Sequence, residues 1–301
     1  MESPSSASAS NETVRSGVSP HDSSLRHAKP SRVTSRVLFF LTAWLIVLMP
    51  FLFWWSTWFG RPLSDEQIGE YLRDEKHPRH IQHALVQLGD RMARNNEAAK
   101  RWYPDITRLA GHPVEEVRNT DAWVMGQDSA NPAFHDALVK MLQDRSITVR
   151  GNAALSLVRF GDASGRAQIV GLLESASITA PGAGRVLDID KAGTAVHQGG
   201  LIAKLGDEQR TIEVRSPIAG RVQKPTVAPG EAVTQGMQLA VVAPAESQVW
   251  EALRALYVLG LPEDLPAIRV YQHESDDSSS RVRQQAVLTE QAILERAKRQ
   301  P

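Results

Sequence analysis

Hydrophobic and polar positions alternate along this chain in four unlike ways. Residues 1–36 are polar and carry no aromatic side chain. Such a segment has too little apolar surface to offset the entropy of ordering, which predicts a disordered tail. Val37 to Phe59 then runs for 23 residues without a charge and holds four of the seven Trp and five of the seven Phe. A bilayer core of ~30 Å takes ~20 helical residues to cross, so this run predicts one transmembrane helix over 37–59. Trp54, Trp55 and Trp58 would anchor its far end at the interface. Residues 60–176 place apolar side chains at helical spacing. Residues 177–244 alternate Val and Ile with polar residues between frequent Gly and Pro, which predicts short strands. Residues 245–301 return to the helical period.

The apolar run ends in Trp58-Phe59-Gly60 rather than a small-x-small cleavage site, and it exceeds the ~7–15 residues of a signal-peptide core. It is therefore expected to stay uncleaved. Five Lys and Arg precede it, against Glu2, Glu12 and Asp22; only Arg61 and Arg73 follow closely, among Asp65, Glu66, Glu70, Asp74 and Glu75. The positive-inside rule then predicts a single-pass inner-membrane protein with a cytoplasmic N-terminus and residues 60–301 in the bacterial periplasm.

Two stretches of the helical part repeat each other. Residues 109–128 and 142–162 align with Val117-Arg118 on Val149-Arg150, an offset of 32. Each has an apolar helix, a polar turn, Val-Arg, a second helix and a closing Gly and Asp. The second helices carry Ala122, Val124 and Met125, and Ala154, Leu155, Leu157 and Val158, on stripes that need a neighbour to bury them. The unit resembles the HEAT repeat, an antiparallel helix pair with Val-Arg before its second helix. Ile68 to Asp90 and Ser280 to Leu288 resemble it more weakly, as terminal repeats should.

The strand-like part also repeats. Ala180 to Val186 matches Ser216 to Val222 at offset 36, and Gly193 to Gly199 matches Gly230 to Gly236 at offset 37. Val214-Arg-Ser-Pro-Ile-Ala-Gly-Arg-Val222 followed by Pro229 to Gly236 resembles the biotinyl/lipoyl domain, a flattened barrel of two quasi-symmetric halves. In carrier members of that family a lysine on the hairpin between the halves holds the cofactor. Here the hairpin reads Gly206-Asp-Glu-Gln-Arg-Thr211, the lysine position falls on Gln209, and no cofactor is expected. Asp207, Glu208, Gln209 and Arg210 are instead the candidate partner contacts. The barrel and the expected anchor also resemble periplasmic adaptor (membrane-fusion) proteins. Those carry a long helical hairpin between the halves, where this chain has only residues 206–215.

Ala167 to Glu174 reads as the first helix of a repeat and Gln248 to Gly260 as the second. The barrel is thus expected inside the turn of one helical pair, where loop closure adds little cost. The alternative is two independent arrays flanking it. The fold class follows as α+β: a single N-terminal transmembrane helix and an α-solenoid of HEAT-like hairpins with an inserted small β-barrel-sandwich domain.

Composition removes much chemistry. No cysteine is present, which excludes disulfides, thiolate metal sites and a cysteine nucleophile. The 34 basic and 34 acidic residues cancel, which argues against nucleic acid. No phosphate-binding loop, dinucleotide fingerprint or nucleophile elbow occurs. His77, His80 and His83 are spaced by three, but His77-Pro78 matches the repeat turn at His112-Pro113, so no metal is expected. Asp121, inside an apolar helix, is expected to bond a neighbouring backbone or Arg118 or Arg150. Ser275 to Ser280 reads as a solvated loop. The resulting expectation is a non-enzymatic scaffold or accessory subunit for a protein partner in or at the inner membrane. The alternatives are a transport adaptor and, without its hairpin lysine, a biotin or lipoate carrier.

Overall fold

The computed structural model describes residues 42, 44–46, 48–49, 62–206, 210–273 and 279–299. The expected tail 1–36 and the anchors Trp54, Trp55 and Trp58 lie outside the described residues. Helical geometry is described at Thr42, Trp44, Leu45, Ile46, Leu48 and Met49. Among the described residues no helix is long and apolar enough to cross a membrane. The transmembrane helix in the expected fold class is therefore corrected, and the single-pass inner-membrane localisation that rested on it falls with it. A span takes ~20 continuous helical residues, and no helix of that kind occurs among the described residues.

From Pro62 onward the chain forms one compact unit. Its helices come in antiparallel pairs: α1 (Asp65–Tyr71) with α2 (Pro78–Ala93), α3 (Tyr103–Leu109) with α4 (Glu115–Met125), α5 (Pro132–Met141) with α6 (Ile147–Arg159), α7 (Arg166–Gly171) with α8 (Glu246–Leu259), and α9 (Leu265–Arg269) with α10 (Ser280–Arg299). Local chemistry sets the starts. Ser64 and Gln67 form a reciprocal capping box at α1, Asn131 and Ser146 cap α5 and α6, and Pro78 and Pro132 take first-turn positions where a missing N–H costs nothing.

The second helices stack in the order α2, α4, α6, α8, α10. Small residues set the spacing. A Cβ at Gly89 would lie 2.5 Å from the Trp123 ring, and one at Gly151 would lie 2.6 Å from Leu172. Hydroxyls stitch successive pairs: Ser156 donates to the Ala122 carbonyl (2.8 Å) and Thr289 to the Leu253 carbonyl (2.9 Å).

The arginine of Val-Arg acts alike in both central pairs. Arg118 donates back to the carbonyls of His112 (2.8 Å) and Pro113 (3.1 Å), and Arg150 to those of Asp144 (2.7 Å) and Arg145 (3.2 Å). Each tethers the turn before its helix. Arg118 also grips the Asp144 carboxylate of the next pair, Nε to Oδ2 at 2.6 Å and a second nitrogen to Oδ1 at 2.9 Å. One motif thus closes its own turn and joins two repeats.

Among the described residues, eight strands lie between α7 and α8: β1 (Ala176–Thr179), β2 (Gly184–Ile189), β3 (Ala195–Val196), β4 (Leu201–Gly206), β5 (Thr211–Arg215), β6 (Gly220–Pro225), β7 (Ala232–Val233) and β8 (Gln238–Pro244). They form two antiparallel sheets, ordered β1-β8-β6-β3 and β5-β4-β2-β7. Exchanging each strand with the one four places away converts one sheet into the other, so each half of the domain contributes to both. The offset of 36–37 reappears in the backbone: Gly193 and Gly230 have φ of 87° and 88°, Gly199 and Gly236 φ of 72° and 81°. These values suit glycine alone without strain. Gly193 N–H donates to the Val222 carbonyl and Gly230 N–H to that of Val186, each at 2.7 Å.

The first and last strands of this insert are neighbours, with Ala176 opposite Val242. Its ends therefore leave and rejoin the helices side by side. That is why α7 still packs on α8 across the inserted residues. One hydrophobic core runs from Leu63 to Ile293 through residues on both sides of the insert, and a second fills the sheet domain. Across the gap, Gln248 donates to the Leu172 carbonyl (3.0 Å), Tyr271 to that of Leu173 (2.6 Å), and Arg166 to Asp264 (2.7 Å).

Candidate functional site

Three features beyond the core offer chemistry or a surface. The first is a groove of about 510 Å³ where α3 approaches α5. Small residues open it: Ala110 and Gly111 on one side, Ala133 and Ala137 on the other, with buried Met141 below. Asp136, Lys140, Gln143 and Asp144 ring the mouth. Burial pushes the Asp144 carboxyl up, but hydrogen bonds from Arg118 and the Ser146 N–H outweigh it and hold it below its ordinary value. The groove thus combines an apolar floor with a rim of both charges.

The second is the contact of the sheet domain with the helices. Gln198, just after β3, donates to the Glu115 carboxylate at the start of α4, which also accepts from Ser146 Oγ at 2.6 Å. A notch of about 330 Å³ lies beside it, lined in part by Arg145, Ile147, Gly199 and Pro217. Nothing in the spacing of Glu115 and Gln198, 83 positions apart, announces this pairing.

The third is a polar triad in the turn between α1 and α2. His77 Nδ1 lies 2.9 Å and His80 Nδ1 2.7 Å from the same Asp74 oxygen. His80 stacks on Tyr71, centroids 4.5 Å apart, and on His77 at 5.0 Å. His83 does not join: it is buried and its Nε2 meets Gln87 at 2.9 Å. Grouping the histidines by their spacing of three therefore overlooks Asp74, and Asp-x-x-His-x-x-His is the signal that finds it. Glu75 points elsewhere, accepting from His112 Nε2 (2.9 Å) and Arg108 (3.1 Å) of the next pair.

Of the expected partner contacts, Asp207, Glu208 and Gln209 lie outside the described residues, and Arg210 is exposed. The strands they join are paired to the end, with Gly206 opposite Thr211. Lys204 lies within β4, opposite Glu213. Asp121 does not meet the expected arginines, because Arg118 and Arg150 are committed to Asp144 and the turn carbonyls. It is fully buried and neither carboxylate oxygen has a hydrogen-bond partner among the described residues.

No protein-family model matches the chain, and no curated protein matches it. The solved structures it is similar to include the following three, at low scores. A urea carboxylase of Kluyveromyces lactis matches 23% of this chain and 6% of its own, at 20% identity and a TM-score of 0.22. A single-chain, multi-domain long-chain acyl-CoA carboxylase matches 33% of this chain and 11% of its own, at 20% identity and 0.23. An engineered protein matches 77% of this chain and 80% of its own, at 16% identity and 0.38. The chain corresponds to only a small part of either carboxylase. At these scores the likenesses decide neither architecture nor activity, which rest on the geometry above.

Proposed function

We propose that this protein is a non-enzymatic scaffold that holds a segment of a partner protein against its helical pairs. The observation that carries this reading is the groove between α3 and α5, with Ala133 and Ala137 on one side, buried Met141 below, and a rim of Asp136, Lys140 and Asp144. Stacked helical pairs suit such a role because each contacts only its neighbours, leaving a long surface free. An apolar floor supplies affinity and a mixed-charge rim supplies register. The partner's chemistry follows: a helical or extended segment with small apolar anchors flanked by both charges.

The sheet domain serves as a second contact, resembling the biotinyl/lipoyl fold in its paired halves but without the carrier lysine between Gly206 and Thr211. The adaptor alternative has less support, since residues 207–210 alone join β4 to β5. The test is a quantitative pull-down with the full chain and with Ala133→Trp/Lys140→Glu, which fills the groove and reverses one rim charge. Both positions are exposed, so folding should be unaffected. A stoichiometric partner recovered by the wild type and lost by the variant supports the proposal. Equal recovery by both, or no stoichiometric partner at all, refutes it.

A further inference from the structure

We propose that Asp74, His77 and His80 form a binding site for one divalent transition-metal ion of the zinc class, with a fourth coordination position open to solvent. The donor set fits that class. Two imidazole nitrogens and one carboxylate oxygen are borderline-to-hard ligands, which zinc, copper, nickel and cobalt accept and which calcium and magnesium do not favour.

The geometry fits as well. One oxygen of Asp74 lies 2.9 Å from His77 Nδ1 and 2.7 Å from His80 Nδ1, and the donor atoms all fall within 4.8 Å of one another. Bonds of about 2.0–2.2 Å to a tetrahedral ion separate its donors by about 3.3–3.5 Å. Each Asp74–imidazole distance therefore needs to open by about 0.4–0.8 Å to admit the ion. His77, whose side chain is 62% exposed, is free to make that movement.

The scaffold holds the donors before any ion arrives. His77 is the residue before α2, Pro78 follows it, and His80 lies in the same first turn. The His77 N–H donates to the Asp74 carbonyl at 3.0 Å and the His80 N–H to the His77 carbonyl at 2.8 Å. Stacking on Tyr71 fixes the His80 ring with its Nδ1 toward Asp74. Support of this kind orients metal ligands and keeps them within reach. With three protein ligands and an exposed mouth, the fourth position is left to water or to a donor from a bound partner.

The experiment is zinc titration of the untagged full chain by calorimetry after chelator treatment, in parallel with His77→Ala, Asp74→Asn and His83→Ala. His77→Ala is the decisive variant, because so exposed a side chain is removed without disturbing the fold; unchanged melting of the zinc-free variant checks this. The expected result is one zinc per chain, at least tenfold weaker in His77→Ala and Asp74→Asn, and unchanged in His83→Ala. Absence of saturable binding, or equal binding by wild type and His77→Ala, overturns the proposal. Binding that survives in all three variants places zinc on other residues and overturns it too.

Discussion

Asp121 carries an energetic consequence that can be measured directly. Its side chain is fully buried, without a hydrogen-bond partner among the described residues. At the matching place in the next repeat stands Ala153, equally buried. Burial pushes the Asp121 carboxyl well above its ordinary value of 3.8, and the positive charge of Arg108 offsets only part of this. The folded protein therefore keeps a proton that the unfolded chain releases. An acid raised in this way leaves stability intact below the unfolded value and erodes it as pH rises from there toward the folded value. Each pH unit inside that window costs about 1.4 kcal/mol. For a folded unit of this size, 1 kcal/mol moves the melting temperature by roughly 2–4 °C. Asp121→Ala removes the titration, so its melting temperature should gain about 3–6 °C on the wild type per pH unit within the window. Near pH 4 the variant should be level or slightly less stable, because a small void replaces the carboxyl. Melting followed by circular dichroism from about pH 4 to about pH 7 reads this difference, and all other titrations cancel in it. Asp121→Asn should follow the same slope. A difference that stays flat with pH, or that favours the wild type as pH rises, would show an ionised and partnered carboxylate and refute the reasoning.

Arg118→Ala should lose about 3–5 kcal/mol in a urea titration, since it strands an Asp144 side chain that is only 11% exposed. Arg150→Ala should cost less than half as much, because that guanidinium closes only its own turn through the Asp144 and Arg145 carbonyls. The lowered Asp144 carboxyl contributes stability that is present above its ordinary value of 3.8 and lost as pH falls through the folded value. Asp144→Asn should accordingly flatten the acid limb of the stability profile, read by melting at a series of acidic pH values. Gly220→Ala and Gly184→Ala occupy matching places in the two halves of the sheet domain but should differ. A Cβ at Gly220 would lie 1.8 Å from the Ala243 carbonyl oxygen, while one at Gly184 would lie 3.2 Å from that of Gly206. The first should open the domain to limited proteolysis, at a cost of about 3 kcal/mol or more, and the second should leave it protected.

Much of the architecture is visible as periodicity. The Val-Arg offset of 32 is legible because each arginine makes the same local bonds to carbonyls five and six residues back, so its requirement recurs with the repeat. The 36–37 offset in the sheet domain is legible because matched turns demand matched glycines with positive φ. Hydropathy over 37–59 stands apart, because most of that run lies outside the described residues. A run of apolar letters records composition, whereas crossing a bilayer takes a continuous long helix, and none is found among the described residues.

Local chemistry thus belongs to the chain as written: caps, turn glycines, helical and strand periods, the missing cysteines and the missing hairpin lysine all act within a few residues of themselves. Partner choice between distant residues does not. Arg118 could serve Asp121 or Asp144, His80 could pair with His83 or Asp74, and Glu115 gives no hint of Gln198. Packing settled each case, because helix pairing brings one carboxylate within 2.6 Å of Arg118 and leaves the other without a hydrogen-bond donor among the described residues.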